Sequence, residues 1–139
     1  MMLHFPLEVY TPERLFYSDL VEAIVLTLID GDAGVYANHS IFSAPVIPCL
    51  LKIKSGDGTW KIAFVAEGIL EVTHHKAVLL SDAAEWPEEI DRERAIAAKK
   101  RAEEIIEAKH LKFEVDAATA SLRRANMRIK AKEEKVEEK

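Results

Sequence analysis

The chain has 139 residues, 49% of them hydrophobic, with 19 basic and 24 acidic side chains and a net charge of −5. That length accommodates one ordinary core, or one small core with an appendage. The acidic balance excludes a general nucleic-acid binder, which needs a basic footprint, and the lone Cys49 excludes an internal disulfide.

A single cysteine suits a reducing compartment. No basic segment followed by an apolar run opens the sequence, so no secretory signal is expected. No apolar stretch reaches ~18 residues, so a membrane is expected to be met only through partners. Composition breaks at Glu85-Trp86-Pro87-Glu88-Glu89-Ile90-Asp91. All the glycines precede it, and Phe113 is the one aromatic residue after Pro87. Residues 1–84 hold 10 acids and 5 bases, whereas residues 85–139 hold 14 of each. Twenty-eight charges in the second stretch are too many to bury, so it reads as a helical appendage to an apolar first unit. The expected fold class is α+β: an N-terminal antiparallel β-sandwich (1–84), then a C-terminal antiparallel two-helix hairpin (85–139).

Within the first unit, Leu7–Tyr10 reads as an extended start halted by Thr11-Pro12. Leu20–Ile29 is rich in β-branched and aliphatic residues and suits a strand buried on both faces. Gly31-Asp32-Ala33-Gly34 reads as a turn. Pro45 and Pro48 exclude a helix or central strand over Ile41–Leu51, leaving a loop or edge segment. Leu51–Lys54 and Thr59–Ala66 flank Ser55-Gly56-Asp57-Gly58, a strong hairpin signal. Trp60, Ile62 and Phe64 are expected on one face, with Lys61, Ala63 and Val65 opposite. Ile69–Thr73 and Lys76–Leu80 follow as further strands. Strands this short, separated by turns, suggest a sandwich or flattened barrel.

This unit offers little chemistry. His74-His75, as strand neighbours, point to opposite faces, and no Cys or carboxylate pattern completes a metal site. His39 is either a contact or a turn residue. Cys49 reads as a small apolar filler. There is no nucleophilic triad and no phosphate-cradling glycine loop, so no catalytic residue and no metal ligand are assigned.

Pro87 suits the first turn of a helix, with Glu88, Glu89 and Asp91 complementing its dipole. Alternatively, Asp91 is the N-cap of a helix starting one turn later. Ile90 to about Lys109 carries an apolar stripe through Ala95, Ala98, Ala102 and Ile105. A second helix, from about Asp116 to Lys132, carries Ala118, Leu122, Ala125 and Ile129. His110–Val115 is the expected turn, and Glu133–Lys139 is expected to fray. Arg94 and Arg101 lie two turns apart on one helix, Arg124 and Arg128 one turn apart on the other. In an antiparallel pair the four can converge on phosphate oxygens, with Glu85, Asp91 and the backbone near Ile90 near a base or ribose. On spacing alone, an ordinary salt-bridged surface is the favoured reading.

The whole order resembles the epsilon subunit of bacterial F-type ATP synthase. Leu7-Glu8-Val9-Tyr10-Thr11-Pro12-Glu13 is similar to the family's opening strand and turn, Gly34–His39 to its histidine loop, and Glu67-Gly68-Ile69-Leu70-Glu71-Val72 to its glycine-containing strand. Ile90-Asp91-Arg92-Glu93-Arg94-Ala95 resembles the Ile/Leu-Asp-x-x-Arg-Ala motif that binds ATP in some members. Arg124-Ala125-Asn126 with Arg128 resembles the second helix. The histidine loop is poorer in Gly and Pro than the family pattern, and Glu67-Gly68 stands where two glycines are usual.

The resemblance implies a non-catalytic rotor subunit that couples the gamma subunit to the c-ring. It lies peripherally on the cytoplasmic face of the bacterial inner membrane. The resemblance further implies a brake. The hairpin permits ATP hydrolysis when folded and blocks rotation when extended against the catalytic alpha/beta subunits. ATP is the implied regulatory ligand, with no cofactor required and no dedicated cage for magnesium. Its implied contacts are Glu85, Ile90, Asp91, Arg94, Ala95, Arg101, Arg124 and Arg128. Two other expectations are a free-standing ATP sensor and a ligand-free adaptor.

Overall fold

A computed structural model describes residues 3–108 and 111–137, with side chains to 134. The chain divides after Glu85 into two compact units. The first contains β1 (Phe5–Tyr10), β2 (Leu15–Leu28), β3 (Gly31–Tyr36), β4 (Phe42–Val46), β5 (Cys49–Ser55), β6 (Trp60–Val65), β7 (Gly68–Val72), β8 (Ala77–Ser81) and the two-residue β9 (Ala84–Glu85). The second contains a 3-10 turn (Pro87–Glu89), α1 (Arg92–Glu107) and α2 (Lys112–Glu137).

The sandwich is organised by β2. At 14 residues it spans about 46 Å at ~3.3 Å per residue, far longer than an ordinary strand. Its first half, Leu15–Val21, pairs with β1. Its second half has β3 on one edge and β5 on the other. A register shift between Val21 and Ala23 marks where the strand passes from one set of partners to the other. The strand order β1-β8-β7-β4-β2-β5-β6-β9 runs through it. The pairings are antiparallel except that of β1 with β8, which is parallel. Leu7, Val9, Val21, Ile24, Leu26, Leu51, Ile53, Phe64, Leu70 and Leu79 are fully buried and form the core.

Several sequence expectations shift. Gly31-Asp32-Ala33-Gly34 is not the turn. The chain reverses at Ile29-Asp30, and those residues lie in β3. Gly31, at φ +130, supplies the left-handed backbone that lets the strand start immediately. Ile41–Leu51 contains a strand, β4, and the opening of β5. Pro45 is tolerated because β4 pairs fully only with β7 and meets β2 through the single pair Leu28–Val46. Ala63 and Val65 are as buried as Ile62 and Phe64, so the end of β6 does not alternate. His74 and His75 sit in the turn between β7 and β8, not on a strand. His39 packs edge-on against Phe5, with ring centroids 5.1 Å apart.

The β5–β6 turn follows its sequence signal. Asp57 Oδ1 accepts from Thr59 N at 3.0 Å and from Thr59 Oγ1 at 2.7 Å, while Gly58 adopts φ +88. The Thr59 backbone and hydroxyl bonds hold the Asp57 carboxyl below its usual range.

Gly68 is required for another reason. A Cβ there would overlap the Leu80 carbonyl on the paired strand β8. The obstacle is backbone and cannot rotate away. Gly68→Ala is expected to destabilise the protein by about 3 kcal/mol through overpacking, read as a lower urea midpoint at unchanged m-value.

Candidate functional site

The helical unit begins with two successive caps. Pro87 opens the 3-10 turn, and Trp86 N donates to Glu89 Oε1 at 2.8 Å. Ile90 N then donates to the Pro87 carbonyl at 3.2 Å, leaving the chain extended at Ile90. Asp91 caps α1, its Oδ1 accepting from Arg94 N at 3.1 Å. Both start signals are therefore real: the proline begins a short turn and the aspartate begins the helix.

The helix ends differ from expectation. α1 stops at Glu107 and is capped by Ala108 at φ −72, ψ −4. Of the expected turn His110–Val115, His110 lies outside the described residues, as does Lys109 at the expected end of the first helix. α2 starts at Lys112 rather than Asp116. Nothing in Leu111–Val115 breaks a helix, and Leu111 O accepts the first helical N–H bonds, from Glu114 and Val115. The tail expected to fray from Glu133 remains helical to Glu137, while Glu138 and Lys139 lie outside the described residues.

Ala95 and Ala102 of α1, and Ala118, Ala125 and Ala131 of α2, are buried. Ala98, Leu122 and Ile129 are half-buried, and Ile105 is 37% exposed, so the seam narrows to alanine. Ala131 extends it beyond the expected stripe. The seven-residue spacing from Ala95 to Ala102 equals that from Ala118 to Ala125, so the two stripes can face one another in an antiparallel pair. The Arg92–Glu133 ion pair, at 4.0 Å, joins the start of α1 to the far end of α2, as an antiparallel pair requires.

The buried seam decides the flank on which each arginine starts. Arg94, Arg101 and Arg124 each immediately precede a seam alanine. Because the helices run in opposite directions, residues preceding the seam project to the same flank of the pair. Arg128, one turn beyond Arg124, joins them. Asp91, one turn before Arg94, lies at the open end of the same flank. Arg101 is about 10 Å further along α1 at 1.5 Å per residue. Arg94 and Arg101 are exposed, whereas Arg124 and Arg128 are half-buried. Arg124 Nη2 donates to Ser121 Oγ at 3.2 Å. Ala95 is a seam residue, and its methyl group faces inward rather than toward a ligand. Ile90 is buried. Glu85 belongs to the sandwich unit, where β9 pairs it with Phe64. Sequence reading overlooked Ser121 and the Arg92–Glu133 pair, signalled only by helical spacing and opposite charge.

Such a flank can bind a polyanion and offers no nucleophile. Among the described residues no cluster of three or more His, Cys, Asp or Glu side chains is placed to hold a metal. No described helix is long and apolar enough to cross a membrane.

The family model "ATP synthase, Delta/Epsilon chain, beta-sandwich domain" matches residues 4–87, and "ATP synthase, Delta/Epsilon chain, long alpha-helix domain" matches residues 88–133. The ATP synthase epsilon chain of Caldicellulosiruptor bescii is 50% identical over 137 residues, covering 99% of both chains. That of Clostridium novyi is 42% identical over 125 residues, covering 90% of this chain and 95% of its own. In fold, the chain is similar to one in the Euglena gracilis mitochondrial ATP synthase OSCP/F1/c-ring structure. The TM-score there is 0.79 at 18% identity, with 96% of this chain and 81% of that chain covered.

The cap at Asp91 can be separated from any ligand contact. Asp91→Ala is expected to cost about 1 kcal/mol of helical stability, seen as earlier loss of the 222 nm signal on heating. Asp91→Asn, which still accepts the Arg94 N–H, is expected to melt within a few tenths of a kcal/mol of the parent.

Proposed function

The chain belongs to the ATP synthase delta/epsilon family, and from that premise we propose that its helical hairpin is an ATP-responsive brake. As an epsilon chain it is a non-catalytic subunit of the rotary central stalk, serving ATP synthesis and proton transport through the complex. We assign gamma and c-ring contacts to the sandwich and contacts with the catalytic alpha/beta subunits to the opened hairpin. Attachment at the cytoplasmic face of the bacterial inner membrane follows from these partners.

The observation that carries the brake is the seam. Helices joined mainly through alanines bury little apolar area, so a competing surface can replace the contact. The end of α1 adds to this. Ala108 stays at right-handed backbone angles, and no left-handed glycine locks the stop. Closed, the pair gathers Arg94, Arg101, Arg124 and Arg128 on one flank with Asp91 at its end. A nucleotide's phosphates fit that flank, and Asp91 can meet its base or ribose. ATP bound there stabilises the closed form by mass action, relieving the brake when ATP is abundant. Opening separates the arginines and frees them for acidic surfaces. The near full-length identity to epsilon chains argues against a free-standing sensor or an adaptor.

Reconstitution tests this reading. Added to an epsilon-depleted ATP synthase from the same source, the chain is expected to bind and to lower hydrolysis, with less inhibition as ATP rises. A chain that binds but leaves hydrolysis unchanged at every ATP concentration sinks the brake. Calorimetry with ATP tests the site. Arg94→Ala is expected to weaken binding by about 1.5–3 kcal/mol, the range for a charge-assisted contact. Unchanged affinity removes Arg94 from the site.

A further inference from the structure

The His39 side chain is half-buried in the loop between β3 and β4, its ring T-shaped against Phe5. Both ring nitrogens are buried, and among the described residues neither has a hydrogen-bond partner. A neutral imidazole carries one N–H donor and one lone pair, so both capacities go unused here. Buried polar groups without partners cost stability, and a phenylalanine could make the same ring contact without that cost. The free chain therefore gives no reason for a histidine at this position. The surrounding loop does. Asn38, just before His39, is at φ 64, a left-handed angle that asparagine adopts more readily than most residues. Return of Asn38 to a right-handed angle turns the side chain that follows it to another side of the loop. On either side of this pair, Tyr36 and Ile41 are 59% and 61% exposed. A protein surface that covers those two large side chains comes within reach of the loop between them.

We propose that His39 is a docking latch: packed on Phe5 in the free chain, it turns outward on assembly and hydrogen-bonds a backbone peptide group of a neighbouring stalk subunit. The ring and the local charge set the partner's chemistry. One donor and one acceptor match the C=O and N–H of exposed backbone. A carboxylate partner is disfavoured, because residues 1–84 hold 10 acids against 5 bases. The bonds made outside replace none inside, so the exchange favours the docked state. The proposal rests on the assignment of stalk contacts to the sandwich and adds to it a residue that changes place on docking.

Titration of the full chain and its His39 variants into epsilon-depleted ATP synthase from the same source provides the test. His39→Phe, which keeps a ring against Phe5, is expected to bind about tenfold more weakly, the scale of one hydrogen bond. His39→Gln, which keeps a donor and an acceptor, is expected to bind within about threefold of wild type. In the chain alone, His39→Phe is expected to have a urea midpoint at or above that of wild type. Cryo-electron microscopy of the reassembled wild-type enzyme is expected to show the His39 ring away from Phe5, with a ring nitrogen ~3 Å from a partner's backbone N or O. A ring still packed on Phe5 in the assembly overturns the proposal, and a carboxylate bonded to it overturns the peptide partner. Equal binding of wild type and His39→Phe also overturns it. So does a midpoint lowered in both His39→Phe and His39→Leu, which shows the nitrogens to be satisfied in the free chain. A wild-type chain that does not bind the depleted enzyme instead overturns the stalk contacts of the sandwich.

Discussion

The contact between α1 and α2 is made chiefly of methyl groups. Ala95, Ala102, Ala118, Ala125 and Ala131 are its fully buried residues, and larger apolar side chains along it stay partly wet. At about 0.8 kcal/mol per buried methyl-sized group, those five contribute about 4 kcal/mol. One buried leucine or phenylalanine contributes about 1.5–3 kcal/mol, and the sandwich has many. The two units therefore differ in kind. The sandwich is sealed by bulk, and the hairpin is held by a contact comparable to the binding energy of a modest ligand.

Small seam residues also set the geometry. Alanine lets two helices approach to the short end of the usual 8–10 Å range. Close approach narrows the flank beside the seam, and that flank carries the arginines preceding Ala95, Ala102 and Ala125. Four cations gathered on one flank repel one another, a cost that grows as the helices approach. In the proposed brake, a nucleoside triphosphate would reverse the sign of that interaction. On that proposal the weakness of the seam and its response to a ligand have one origin: small side chains inside, arginines beside them.

Much of this was legible in the sequence because it depends on local rules. The strands around Ser55-Gly56-Asp57-Gly58, the proline and aspartate start signals, and the alanine stripe all follow from turn chemistry and helical period. The errors fall where pairing partners overrode local signals. Gly31–Gly34 looks like a turn, yet it pairs residue by residue with β2, and the reversal lies just before it at Ile29-Asp30. The first half of β2, Leu15–Asp19, alternates too poorly to announce a strand, and its extended form is imposed by β1. His110–Val115 reads as a turn because two helical stripes need one between them, although its last four residues contain nothing to stop a helix and belong to α2. Arginine spacing suggested convergence but could not separate a site from a salt-bridged surface. The missing element was the seam itself, because the flank to which each side chain points depends on which alanines face inward.

Glycine usage shows where the fold permits change. Gly68 is wedged against the Leu80 carbonyl, so β7 and β8 hold one register. Gly31 and Gly58 fix tight reversals through left-handed angles. All such locks lie in the sandwich. The described residues flanking the hairpin's bend include neither Gly nor Pro, and α1 ends at Ala108 with its backbone still right-handed. A chain that must keep one surface constant while changing another needs this asymmetry. Backbone constraints fix reversals and a strand register in the sandwich, whereas the hairpin is held by its alanine seam and its charges, both of which other molecules can outweigh.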